Sequence, residues 1–102
     1  MIDTNNIRLR LDGDSEEIED IRKNLSMLYA TRAGSLPLNR DFGLEGDFIS
    51  QPLPVAKSEF EFEVIRKTEI YEPRVRVEKV VYEYDSTNGA MKPIVYLKGG
   101  AS

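Results

Sequence analysis

The fold turns on the run Lys67-Thr68-Glu69-Ile70-Tyr71-Glu72-Pro73-Arg74-Val75-Arg76-Val77. Pro73 lacks an N–H and disfavours helix for the residue before it, so a helical run stops here. Beyond it, Val75 and Val77 alternate with Arg74 and Arg76, which is a strand pattern. A helix therefore becomes a strand at one tight corner, and the proline ring fixes the turn between Glu72 and Arg74. The two charges are expected to point outward, as a rigid knuckle suited to ordering a joint or docking a partner.

Upstream of the corner, residues 55–71 admit two patterns. Phe60, Phe62 and Val64 alternate with Glu59, Glu61 and Glu63, as in a strand. Ala56, Phe60, Val64 and Tyr71 also share one helical face, at steps of four, four and seven. The run is too long for an ordinary strand in a small domain, which decides for helix. On that helix Val55, Phe62 and Ile65 form a second stripe on roughly the opposite side, expected to be core rather than interface. A helix apolar on two sides is sandwiched or offers one side to a partner.

Residues 32–54 are broken by Gly34, Pro37, Gly43, Gly46, Pro52 and Pro54 and keep no period. Their apolar members Leu36, Leu38, Phe42, Leu44, Phe48, Ile49 and Leu53 suggest a connection lying against the core. Before it, Ile18, Ile21, Leu25 and Leu28 follow at steps of three and four, predicting a helix over about 15–31. Asp14 would cap it, with Glu17 completing a capping box. Glu16, Glu17, Glu19 and Asp20 suit the positive end of its dipole. Ile7, Leu9 and Leu11 alternate with Arg8 and Arg10 as a short half-buried strand, ended by Asp12-Gly13.

Downstream, residues 74–84 read as the longest strand. Val75 and Val77 point one way, and Val80, Tyr82 and Tyr84 continue in the opposite phase, so a bulge is expected around Glu78-Lys79. Asp85-Ser86-Thr87-Asn88-Gly89 is turn chemistry. Met91 to Leu97 returns as a second strand, where Pro93 favours an edge position. The sum is one α+β domain over 1–102, with 1–6 and 98–102 as flexible ends. It has a small antiparallel sheet, two main helices packed on one face and a C-terminal β-hairpin.

Composition narrows the function. The net charge of −4 speaks against a wide nucleic-acid footprint. With no Cys and no His, disulfides, thiolate metal sites and the usual neutral-pH acid/base are excluded. No positively charged segment leads into an apolar run at the start, and no apolar run approaches about 20 residues. The expectation is a soluble protein made in the cytoplasm, without cofactor, metal or membrane span.

Two further motifs point to a family. Thr31-Arg32-Ala33-Gly34 followed by Arg40-Asp41-Phe42-Gly43 resembles the "TR-x-G … P-D-F-G" signature of the GPW, or gene product 25-like, family. Tyr71-Glu72-Pro73-Arg74 resembles its aromatic-E-P-R signature. The order of helix, TR-x-G, D-F-G, second helix, E-P-R and hairpin agrees over roughly 15–97. Ser35 stands where many members have Glu, Arg40 where Pro is usual, and Tyr71 where Trp is commoner. The family comprises small baseplate wedge proteins of contractile phage tails, with relatives in type VI secretion and other injection machines. The resemblance implies a structural subunit that docks on the wedge core through Glu72, Pro73 and Arg74 and seeds the sheath. Its sheet is implied to accept strands from neighbouring sheath subunits. Localisation would be cytoplasmic during assembly, then the tail baseplate or an equivalent particle.

Each motif also has a plainer reading. Glu72 and Arg74 can simply hold the corner. Thr31 and Arg32 can end the first helix, with Gly34 as its stop. Phe42 can sit in the core while Gly43 makes the turn and Asp41 caps backbone or pairs with Arg32 or Arg40. Asp41-Phe42-Gly43 is not a kinase motif, since no Gly-rich or catalytic loop accompanies it. The partner-binding candidates are thus Glu72, Pro73, Arg74, Thr31, Arg32, Gly34, Arg40, Asp41, Phe42 and Gly43. Members of the family have also been labelled acidic lysozymes, but eighteen acidic residues guarantee coincidental carboxylate pairs. No enzyme is expected. A regulatory protein-binding module of the same fold is the alternative.

Overall fold

Five elements follow in the order β1 (Arg8–Arg10), α1 (Glu16–Ala30), α2 (Leu53–Tyr71), β2 (Val75–Asp85) and β3 (Ala90–Gly99). They come from a computed structural model, which describes residues 2–3, 7–13, 15–35, 37–38, 40–45 and 51–99. α1 starts where Ser15 Oγ accepts a hydrogen bond from Ile18 N at 3.2 Å. That side chain, rather than Glu17, supplies the cap; Asp14, the expected cap, lies outside the described residues. Ile21, Leu25, Leu28 and Tyr29 are buried on one face, as the spacing required. Tyr29 Oη lies 2.7 Å from Thr68 Oγ1 on α2, so a buried polar pair ties the helices together.

α2 is a continuous helix, with Pro52 at its N-cap and Pro54 in its first turn, where a missing N–H costs nothing. Ala56, Phe60 and Val64 are buried and Tyr71 is half-buried, so the four-residue steps set its inner face. The second stripe is not core. Val55, Phe62 and Ile65 are exposed, Phe62 at 68%. The reason is layering: α2 packs on the sheet from one side, and among the described residues no second layer covers the other.

The sheet order is β1-β3-β2, with β3 in the centre. β2 and β3 form the expected antiparallel hairpin, with a register shift between Val77 and Lys79. That bulge keeps Val75 and Val77 on the same side as Val80 and Tyr82, all packed against the core. β1 runs parallel to β3, pairing Arg8 with Ile94, so the sheet is mixed rather than wholly antiparallel. Pro93 therefore lies in the central strand, not at an edge. Met91 O, two residues earlier, accepts from Asp3 N at 2.8 Å, so Pro93 also turns its backbone toward the β1 side. Its missing N–H then costs the hairpin no bond.

Of the ends expected to be flexible, residues 1, 4–6 and 100–102 lie outside the described residues. Ile2 is buried and bridges to Met91, while Lys98 and Gly99 pair with Arg76 and Val75. Within the long connection, Leu44 is buried and Phe42 half-buried, but Leu38 and Leu53 are exposed. Leu36, Phe48 and Ile49 lie outside the described residues. The outer sheet face carries the ion pairs Arg8–Glu83, Lys92–Asp85 and Lys98–Glu78. They mark a solvated face and add little stability, about 0–1 kcal/mol each.

Candidate functional site: an apolar groove beside the Glu72 clamp

The Thr31-Gly34 and Arg40-Gly43 segments are joined by backbone bonds, and Phe42 of the second meets Tyr71, some thirty residues on, at the end of α2. α1 ends at Thr31, whose Oγ1 donates to Met27 O at 2.6 Å. The chain then pairs with itself. Leu44 N donates to Thr31 O at 2.9 Å, and Ala33 N donates to Leu44 O at 3.1 Å. Gly34 N donates to Arg40 O at 2.8 Å, closing the loop between the motifs. Gly43 makes this pairing possible. Its φ is +111°, and a Cβ there would meet Thr31 O at 2.5 Å and Ala33 N at 2.8 Å. Only a residue without a side chain lets the two backbones approach so closely.

Phe42 packs edge-on against Tyr71, with ring centroids 5.2 Å apart and planes at 80°. Beneath them Lys67 is buried, and its Nζ donates to Asp41 O. The same Nζ lies 5.9 Å from the Tyr71 ring centre. Asp41 thus anchors the loop by its carbonyl. Of the two roles expected for its carboxylate, pairing with Arg32 or Arg40 is not among the ion pairs of the described residues. Both arginines are exposed.

Glu72 does not point outward. It is only 3% exposed. Arg74 folds back over it, with Nε 2.6 Å from Oε1 and Nη2 2.8 Å from Oε2. Asn24 Nδ2 donates to the same carboxylate at 3.3 Å, and Arg74 Nη2 reaches Asp20 Oδ2 at 3.1 Å. A buried carboxylate needs such partners, and a forked guanidinium supplies two bonds at once. The bonds from Arg74 hold the Glu72 carboxyl below its ordinary pKa, against the opposing effect of burial, with Asn24 adding to the lowering. The guanidinium is held protonated by Glu72 first and Asp20 second. The corner is therefore a structural clamp between α1 and β2. Pro73 and Arg74 remain at the surface, and Glu72 is withdrawn from it.

An apolar groove of about 140 Å³ opens beside this clamp, lined by Asn24, Leu25, Met27, Leu28, Phe42, Tyr71 and Glu72. Met27 stands at its mouth, 58% exposed. The groove is mostly hydrocarbon and aromatic, with one buried carboxylate at its floor already bonded within the chain. Its shape and lining could take an apolar side chain, and among the described residues that line it the one carboxylate is already bonded.

No protein-family model, curated protein or solved structure matches this chain.

Of the residues marked in the sequence, Thr31, Asp41, Phe42, Gly43 and Glu72 are brought together, with Pro73 and Arg74 beside them. Gly34 and Arg40 support the loop behind. Arg32 bridges to Leu44 through backbone while its side chain faces solvent. Sequence reasoning missed Asn24, Met27 and Lys67. Lys67 was discoverable, since it continues the buried series Phe60, Val64, Lys67 and Tyr71 at steps of four, three and four. Its charge argued for the surface, and the Asp41 carbonyl that rewards burial is visible only in three dimensions. Among the described residues no group of acidic side chains is placed to hold a metal ion, and no helix is long and apolar enough to cross a membrane.

Proposed function

We propose that this chain is a structural baseplate wedge subunit of a contractile tail or injection machine. In this reading it docks on the wedge core and initiates sheath assembly, and it catalyses nothing. One observation carries the proposal. Two of the three segments whose order resembles the GPW signature line a single groove, through Phe42 and through Tyr71 and Glu72, and the third, Thr31 to Gly34, is tied to the Phe42 loop by backbone hydrogen bonds. Motifs that only ended helices or filled turns would have no reason to share one surface. The partners are baseplate wedge proteins at the groove and sheath subunits at the sheet, with no nucleic acid and no membrane span. An unpaired sheet edge is a ready template for strand addition, and β2 lies at such an edge with eleven residues. The particle would be assembled in the cytoplasm.

The clamp decides how the docking role is tested. Charge reversal at Arg74 would set two carboxylates against each other and loosen the fold, so it cannot separate docking from stability. Met27→Asp can, because Met27 projects from the groove mouth. The variant should melt like the parent protein yet fail to enter baseplates when produced with the full set of wedge and sheath proteins. Normal, contractile tails from the Met27→Asp variant would overturn the docking role. A regulatory module would instead bind one soluble partner through the same groove, and tails would assemble without it.

A further inference from the structure

The groove leaves unexplained the opposite side of α2, where Val55, Phe62 and Ile65 are exposed. Their spacing is that of a seam. Val55, Ser58, Phe62, Ile65 and Glu69 fall at alternating steps of three and four, the repeat by which one helix packs along another. The centre of the seam is apolar and its ends are polar. Glu59 and Arg66 flank it on one side, each one residue beyond a seam position.

We propose that this face binds a second copy of the chain, as an antiparallel α2–α2 pair about a two-fold axis. The charges select the occupant and its direction. With the Phe62–Ile65 step at the axis, Phe62 of each helix packs on Ile65 of the other. Glu59 of one then comes opposite Arg66 of its partner, twice over, and Ser58 comes opposite Glu69. A parallel pair would set like residues side by side and lose both ion pairs. Within the chain, Arg66 Nη2 already bonds Glu63 Oε1 at 2.7 Å and Glu45 Oε2 at 3.1 Å, and its side chain stays 41% exposed, so the pair with Glu59 would be a further contact of the same guanidinium. The surface is self-complementary, as a two-fold interface must be. It is also small, so the dimer is weak and reversible. The proposal uses none of the groove residues and stands apart from the wedge-subunit reading.

Sedimentation velocity of the full chain from micromolar to millimolar concentration is the test. A monomer–dimer equilibrium is expected, weakened about tenfold or more by Phe62→Gln, which removes only an exposed side chain. Glu59→Arg alone and Arg66→Glu alone should each be monomeric, because like charges then face each other at both ends. Mixed together they should associate again, since each remaining pair is opposite in sign. If Arg66→Glu does not melt cooperatively, Phe62→Gln and Glu59→Arg carry the test. A chain monomeric throughout, or a dimer indifferent to Phe62→Gln and Glu59→Arg, overturns the proposal and leaves the stripe to another protein.

Discussion

Two residues decide whether the groove exists, and both act through backbone approach or burial rather than reactivity. Gly43 is one. Its positive φ and the 2.5 Å separation that a Cβ would have from Thr31 O leave no room for Ala. Gly43→Ala should destabilise the chain by about 2–4 kcal/mol. Gly34→Ala meets open space and only an unfavourable φ of +91°, so its cost should be about 1–2 kcal/mol. Urea denaturation of the two variants checks the ordering. Glu72 is the other. Its folded carboxyl titrates below the ordinary 4.5, so the stability it contributes is complete above about pH 4.5. That contribution disappears as pH falls through the lower folded value. Glu72→Gln should cost about 1–3 kcal/mol at neutral pH. The gap from the parent protein should close on acidification, as read from urea midpoints across that range. A gap independent of pH would show that the carboxylate charge is not what the clamp uses. Nothing in the sequence reveals this burial. A Glu beside a Pro at a corner reads as exposed, and Asn24 and Asp20, which complete the clamp, sit about fifty residues away.

At the scale of elements, α2 gives the sharpest contrast. In a strand Phe60 and Phe62 would share a face and cost the same to remove. On the helix Phe60 is fully buried and Phe62 projects into solvent. Phe60→Ala should destabilise by about 3–5 kcal/mol, and Phe62→Ala by about 0.5 kcal/mol or less. Equal losses in a melting experiment would refute the helix orientation. Spacing alone made α1 legible, whereas α2 also needed the length of its run, because its residues alternate as a strand would; once it is read as a helix, its four-residue steps record which side faces the core. The β2 bulge was legible for the same kind of reason, as a change of phase at Glu78-Lys79. The direction of β1 was not. Alternation in Ile7, Leu9 and Leu11 says which face is buried and nothing about the neighbouring strand. Pro93 misled through the same gap, since its position is tolerable only when its backbone turns away from β2. The apolar residues of 32–54 misled differently. Being apolar did not bury Leu38, whereas Leu44 is buried because its backbone pairs with Thr31 and Ala33.

At the scale of the whole molecule, β3 is the member on which the others depend. It pairs with β1 on one side and β2 on the other, and among the described residues it is the only strand with two neighbours. Chains stopped after residue 89 should therefore show no cooperative thermal transition, despite retaining both helices and most of the apolar residues. A sharp transition in such a chain would mean that the helices hold a core without the sheet. The α+β class was legible at this scale, because each element announced its own type. The meeting of Phe42 with Tyr71 and Glu72 in one groove was not, because it depends on the loop pairing with itself at Leu44 and on Lys67 reaching Asp41.

The central place of β3 also has a consequence for translation. It leaves the ribosome after β1 and β2, which emerge with their shared neighbour still unmade. The nascent chain must keep Leu9, Val80 and Tyr82 from premature association until residues 90–99 arrive. Arg8 and Arg10 in β1 and Glu83 in β2 are exposed, so each waiting strand carries charge of its own.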